Sequence, residues 1–514
     1  MTVPGLLAMA ACGSHAPQAS ATGDPVKGGR ITVGVSIDAG CIDPHQNTAI
    51  AAQEMLGQTV DRLTDQDPET GEIVPYLAER WDVAQDGRSY TFHLREGATF
   101  SDGAPVDAAA VKGSFDALVA MGAKASNAAQ VLVGFSEAQA IDGRTVRISF
   151  AQPNAQFLQA TSTAAFGIVS PATAAETAEA RCANGVVGSG PFVLDGYSKN
   201  DQLRLKQRAG YSWGSSARSN KGEAYLDEVV FQVIPEPGVR AGSLTSGTIQ
   251  LAYAIPDQSV PTLEAAGQQL LVKPYPGMPV SAVFNMASPI ASDPAVREAV
   301  MLAVNRDDIG AVVGTGGAPA YAYLSASTPG ALDLSDELRT DVARAKQVLD
   351  AAGWKAGADG VREKNGARLA LRLPFFFMPA PVELLQQQLA KVGIEAQLQQ
   401  LPVADYMSVL SEGAFDLTTT NWGTADASAL ASLASPRYGQ KDQGFLELIA
   451  AQNRESDPAA RATITEDTQR HIQKHAYAVP MFYVNTVFGV SPSLHGVELD
   501  GSTRLVLGDA WLQQ

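Results

Sequence analysis

A mixed α/β chain of several domains is the fold class that this sequence predicts, and three observations predict it. Strand-like and helix-like segments interleave along most of the chain. Asp-Gly turns separate the strand-like runs. The 514 residues exceed what one hydrophobic core covers, since single cores stop growing near about 250–300 residues. Apolar residues make up 45% and charged residues 18% of the chain, the balance of a globular protein, which excludes disorder as the main state.

The strands are read from period-2 alternation. In Tyr90-Thr91-Phe92-His93-Leu94-Arg95 apolar and polar side chains take opposite faces. Arg144 to Phe150, Leu203 to Lys206, Val229 to Ile234, Ile394 to Leu401 and Val479 to Val490 behave similarly. Asp86-Gly87, Asp102-Gly103, Asp142-Gly143 and Asp359-Gly360 lie between such runs, where glycine tolerates the positive φ of tight turns. The apolar run Leu373 to Met378 reads as a buried strand.

The helices follow from caps and stripes. Asp293-Pro294 is an N-cap followed by proline at the first helical position, and Val296, Ala299, Val300, Ala303 and Val304 then form one apolar face. Asp341 opens a second helix with Val342, Ala345, Val348 and Leu349 inward, ended by Gly353. Val382, Leu385, Leu389 and Val392 make a third, which Gly393 stops.

Charge narrows the partners. The net charge of -17 repels nucleic acid and anionic membrane surfaces. No stretch reaches the roughly 18–20 apolar residues of a membrane-spanning helix. At the start, Leu6-Leu7-Ala8-Met9-Ala10-Ala11 precedes Cys12-Gly13-Ser14, and a tether rich in Ala, Ser, Gly and Pro follows. This resembles a bacterial lipoprotein signal with Cys12 as the acylated residue, although no Lys or Arg precedes Leu6. The other reading is an N-terminal tail with a chance cysteine.

Catalytic and metal motifs are absent. There is no phosphate-binding G-x-x-x-x-G-K-[ST], and Gly314 to Pro319 lacks the third glycine of a dinucleotide fingerprint. Gly188-Ser189-Gly190 lacks the spacers of a nucleophile elbow. Asp65-Gln66-Asp67-Pro68-Glu69 alternates acids but fails the calcium-loop pattern, because Gly71 is one position late, and reads as a solvent-facing turn. His471 and His475, four apart, have metal-ligand spacing without a neighbouring third ligand and read as exposed helix-face histidines. The chain therefore reads as a non-enzyme with no cofactor and no metal.

Val74-Pro75-Tyr76-Leu77-Ala78-Glu79-Arg80-Trp81-Asp82-Val83, then Tyr90 to Gly97, then Phe100-Ser101-Asp102-Gly103-Ala104-Pro105-Val106 form one long pattern. It closely resembles the signature of the peptide/nickel-binding family of ABC-transporter solute-binding proteins. Val187 to Phe192, Tyr225 to Pro235, Asp293 to Ile309 and Ala345 to Trp354 match further family elements in order, so the resemblance runs from Gly28 onward. It implies a mixed α/β, two-lobed periplasmic-binding-protein clamshell with an additional domain next to lobe I. By that layout 1-27 is signal and tether, and 28-58, 188-274 and 484-514 build lobe I. The additional domain takes 59-187 and lobe II takes 275-483.

The resemblance also implies the function: an extracytoplasmic, lipid-anchored, monomeric receptor that binds peptides or similar solutes by hinge closure and serves ABC permease subunits. A receptor for nickel chelates or metallophores is the alternative, followed by a surface-anchored enzyme or sensory binding protein. In peptide-binding relatives an Asp shortly after a Trp holds the peptide ammonium. Here Asn421, Trp422 and Asp426 are the matching candidates, with Asp426 four residues after the Trp where the family has three. A core Trp beside a solvent-facing Asp is the competing reading of this loop. Asn285 and Cys41-Ile42-Asp43-Pro44 are further ligand-contact candidates. With Cys12 lipidated, Cys41 and Cys182 remain of three cysteines, and the family layout brings both to one interlobe region as a disulfide. Two separately buried thiols are the alternative.

Overall fold

The computed structural model describes residues 23–513. Cys12 and the apolar run before it lie outside the described residues. One sheet is built around Arg30–Val35, whose Ile31, Val33 and Val35 are fully buried. This strand pairs in parallel with Glu228–Val233 and with Leu251–Tyr253. Gln202–Gln207 and Phe192–Ser198 extend the sheet antiparallel on the far side. Its core gathers residues from distant parts of the chain, among them Leu56, Phe231, Phe488 and Leu505. Burying such side chains contributes about 1.5–3 kcal/mol each.

A second core forms around Met278–Phe284, paired antiparallel with Leu417–Trp422. Against it packs a β-α-β unit in which Ala370–Phe375 and Glu395–Gln400 run parallel, joined by the helix Pro379–Ala390. The helices opened by Asp293 and Asp341 start as the sequence predicts: each carboxylate accepts a hydrogen bond from a first-turn N–H, at 3.0 Å from Ala295 and 2.8 Å from Arg344. The run at Leu373 is a strand only as far as Phe375. Phe376 to Met378 leave the sheet and remain partly accessible, because the chain must turn there into the proline-started helix.

A third core sits beside the first sheet. Ala78–Val83, Ser89–Leu94, Thr145–Phe150 and Phe135–Ala140 form a four-stranded antiparallel sheet in that spatial order. Under it, Phe157 lies 4.9 Å from both Tyr90 and Phe150, ring centre to ring centre. Asp61 sits at the edge of this core, against its members Tyr211 and Trp213. Its buried carboxylate accepts from Tyr76, from Tyr211 at 3.2 Å and from Trp213 Nε1 at 2.8 Å, and burial raises its pKa.

Three local expectations change. Asp65-Gln66-Asp67-Pro68-Glu69 does not face solvent throughout: Asp65 and Gln66 are buried, and Asp65 pairs with Arg218 at 3.3 Å. Gly143, unlike Gly87, Gly103 and Gly360, does not adopt positive φ. His471 and His475 are half-buried rather than exposed, because the strand that follows their helix folds Tyr477 back against both rings.

One strand joins the first two cores. Ala478–Val490 pairs through its first half with Met278–Phe284 and Gly317–Pro319. Its second half pairs with Leu251–Tyr253 and Gln269–Pro274. The chain thus passes between these two cores at Pro274–Met278 and again near Val484, and the two crossings touch where Tyr275 N donates to Val484 O at 2.8 Å.

Candidate functional site

Beside these crossings lies a cavity of about 440 Å³, inside the roughly 300–1,000 Å³ range of small-solute sites. Another depression, at Ala84–Ser89 and Phe150, is wide but belongs to one sheet edge. The cavity between the lobes draws on all three cores. Its upper wall is the turn after Leu417–Trp422, from Trp422 to Ala425. Tyr275 lies against that turn so closely that a Cβ on Gly423 would come within 2.0 Å of the ring. Gly277, at φ +93, makes the matching approach from the other side, where a Cβ would meet Trp422 O at 2.1 Å. Glycine at both positions lets the crossing segment and the Trp422 turn share one wall.

Gln156 and Gln159 form the side wall from the third core, and Thr424 Oγ1 donates to Gln159 Oε1 across the cleft at 3.4 Å. The floor comes from the helix Ile50–Leu56 and the C-terminal turn Asp500–Arg504. Asp500 accepts from the backbone N–H groups of Ser502 and Arg504, at 2.9 Å each, and from Arg62 at 3.1 Å. Arg504 donates to the Tyr275 hydroxyl at 3.0 Å and stacks over that ring at 5.3 Å. Behind it, Glu54 is buried; its Oε2 accepts from Leu505 N, and burial pushes its carboxyl up to about 8 against the pull of Arg504.

The sequence candidates separate in this geometry. Trp422 lines the cavity. Asn421 is the half-buried residue before it and does not line it. Asp426 is neither solvent-facing nor turned to the cavity: it caps the turn at Ser428 N and is gripped by both terminal nitrogens of Arg461, at 2.6 and 2.7 Å. Burial works to raise the Asp426 carboxyl, but Arg461 outweighs it and holds it below the usual carboxylate range. Asn285 is committed to the Gly413 and Phe415 carbonyls at 3.2 and 2.9 Å. Asp43 faces Arg181 at 3.0 Å in a fully buried pair. Cys41 and Ile42 stay outside the lining, whereas Pro44 accepts from the lining residue Gln53 at 3.0 Å. Cys41 and Cys182 stand side by side, Cα atoms 4.5 Å apart. Away from the cavity, ligand atoms of Asp442, His471 and His475 lie within 4.8 Å of one another, and Asp442 already bonds His471 at 3.1 Å.

The family model for bacterial extracellular solute-binding proteins, family 5, matches residues 72–444. The chain belongs to that family. A curated relative, the glutathione-binding protein GsiB of Shigella dysenteriae serotype 1, is 26% identical over 516 residues, covering 94% of each chain. NikA from Brucella suis, solved with Fe(III)-EDTA, superposes with a TM-score of 0.81 at 25% identity, covering 94% of this chain and 100% of that one. The binding protein DppA from Helicobacter pylori, solved with the peptide STSA, gives a TM-score of 0.71 at 22% identity, covering 95% and 99%. The family is one of two-lobed solute-binding receptors of ABC importers.

For this family 5 chain, Tyr275, Arg504, Gln53 and the Gln156–Gln159 wall are cavity residues that the sequence reading passed over. Tyr275-Pro276-Gly277, an aromatic in a turn between two strands, and an Arg closing the Asp500-Gly501-Ser502-Thr503-Arg504 turn were the signals available.

Proposed function

We propose that the chain closes on one small solute in the interlobe cavity and delivers it unchanged to the membrane subunits of an ABC importer. The observation that carries this reading is the cavity's construction from both sides of the two crossings. A solute touching both lobes shifts the open–closed population; one touching a single lobe does not. Peptides and peptide-like solutes lead, on the names of GsiB and the DppA complex. A metal chelate is the second reading, favoured by the NikA complex.

In this reading 28-58, 188-274 and 484-514 form lobe I, 59-187 the additional domain and 275-483 lobe II. Cys12 carries the lipid, and the receptor acts as a monomer. Cys41 and Cys182 form a disulfide, a bond that their adjacency supports. Separated by 141 positions in the sequence, the pair stabilises by about 4–5 kcal/mol in the chain-entropy model.

The test incubates the purified protein with glutathione, short-peptide pools and metal chelates, reads thermal stabilisation, and recovers the solute for mass spectrometry. A raised Tm with the solute intact is expected; progressive consumption of the solute rejects the receptor reading. Alkylation of the denatured, unreduced protein should leave Cys41 and Cys182 unmodified, and labelling of both refutes the bond.

A further inference from the structure

The charges at the cavity are unequal in their commitments. Asp500 and Arg504 are its charged lining residues. Asp500 is fully engaged, with Arg62 on one oxygen and two backbone N–H groups on the other. Arg504 is not: beyond its bond to the neutral Tyr275 hydroxyl, its nearest carboxylate oxygen, Glu54 Oε1, is 4.0 Å away. Both atoms of that long contact, Arg504 Nη1 and Glu54 Oε1, are buried without a hydrogen-bond partner. Burial pushes the Glu54 carboxyl up to about 8 against the pull of Arg504, which makes it a weak counter-charge for that guanidinium.

The opposite case holds for the carboxylates. Asp426, beside the Trp422 turn, is neutralised by a two-pronged bond to Arg461. The remaining polar lining is amide and hydroxyl, among it Gln53, Gln156, Gln159, Thr424 and Ser432, the last with a buried hydroxyl that has no partner. Among the described residues, therefore, the cavity offers a cation short of a counter-charge and no free carboxylate to receive an ammonium. A guanidinium in a cleft that closes gains most from a planar anion it can grip with two N–H groups. Excluding water strengthens that contact further.

We infer that the solute is a carboxylic acid whose carboxylate pairs with Arg504, and that a free amine is not the anchoring group. N-blocked or acidic peptides and other small carboxylates belong to this class; a peptide held by its ammonium does not. The inference rests on the interlobe cavity being the solute site. Tyr275 is the positioning residue: it holds the guanidinium through its hydroxyl and its ring face.

The experiment uses three forms of one tripeptide pool: N-acetylated with a free carboxylate, C-terminally amidated with a free amine, and unmodified. Small dicarboxylates are added as a fourth probe. Binding is read by thermal shift and calorimetry on the wild type and on Arg504→Gln, Arg504→Lys and Trp422→Ala. The acetylated pool or the dicarboxylates should bind at least 100-fold more tightly than the amidated pool. Arg504→Gln should abolish that preference, and Arg504→Lys should retain part of it, which separates lost charge from lost folding. Equal or tighter binding of the amidated pool overturns the inference, as does absence of binding by every acid probe. Sensitivity to Trp422→Ala but not to Arg504→Gln leaves the cavity standing and removes the anion. Indifference to both substitutions removes the cavity itself.

Discussion

Two arginine–carboxylate pairs flank the cleft, and they differ in completeness. Asp426 and Arg461 meet through two hydrogen bonds of 2.6 and 2.7 Å. Glu54 and Arg504 stop at 4.0 Å, with an unpartnered atom on each side. The first pair has satisfied its desolvation cost internally and holds a turn in shape. The second leaves a buried cation ready for something that is not part of the chain. An acid near an aromatic thus says little about ligand chemistry until its partner is known.

The largest expected effect comes from breaking the complete pair. Asp426→Ala strands the Arg461 guanidinium and should cost about 3–5 kcal/mol, as expected for removing one partner of a buried pair. Urea denaturation measures it, and a loss under 1 kcal/mol would show the pair to be ornamental. Asp426→Asn should leave solute affinity unchanged at concentrations where the protein remains folded. A drop in affinity alone would restore the ammonium-binding role to this residue.

The incomplete pair is sharpened by removing its proton. Glu54 has a folded pKa of about 8 against an ordinary 4.5, so the folded chain holds that proton more tightly than the unfolded chain does. Its contribution to stability is whole below pH 4.5, declines as pH rises towards 8, and is gone above that. Glu54→Gln should flatten this decline and leave the protein roughly 1–3 kcal/mol more stable than wild type at pH 8. Denaturation curves at pH 5 and pH 8 decide it: parallel behaviour of the two proteins would place the Glu54 titration elsewhere.

Smaller effects are expected at the cavity wall. Trp422→Ala should weaken solute binding by about 10-fold to 100-fold, with little change in Tm of the empty protein; unaltered binding would move the solute away from this wall. The weakest is Thr424→Val. Its 3.4 Å contact with Gln159 is long for a hydroxyl bond, so stability and affinity should each change by less than about 0.5 kcal/mol. A larger loss would mark that contact as a latch of the closed state.

The same contrast explains what the sequence makes legible. Strand alternation and the Asp293 and Asp341 caps depend on neighbours within one turn or one strand, and they stand as read. Trp422 was within reach through the resemblance of its loop to that of peptide-binding relatives, and it proves to end the strand Leu417–Trp422. Asp65 was misread, because the arginine that buries it lies 153 residues away. Arg504 was passed over for the same reason: its setting is assembled from Glu54, Tyr275 and its own turn, and the Glu54 bond to Leu505 spans 451 positions. Local patterns announce elements, whereas commitments between side chains are decided by packing.

The strand Ala478–Val490, shared by both principal sheets, has a consequence for how the molecule comes apart. Each lobe's sheet is completed by a piece of the same continuous backbone, so neither lobe is an autonomous unit. Melting one sheet withdraws a central strand from the other, and calorimetry should record these two lobes as a single cooperative transition. The receptor would then be indivisible by dissection: a fragment cut near Val484 forfeits half of that strand and exposes unpaired sheet edges on both products.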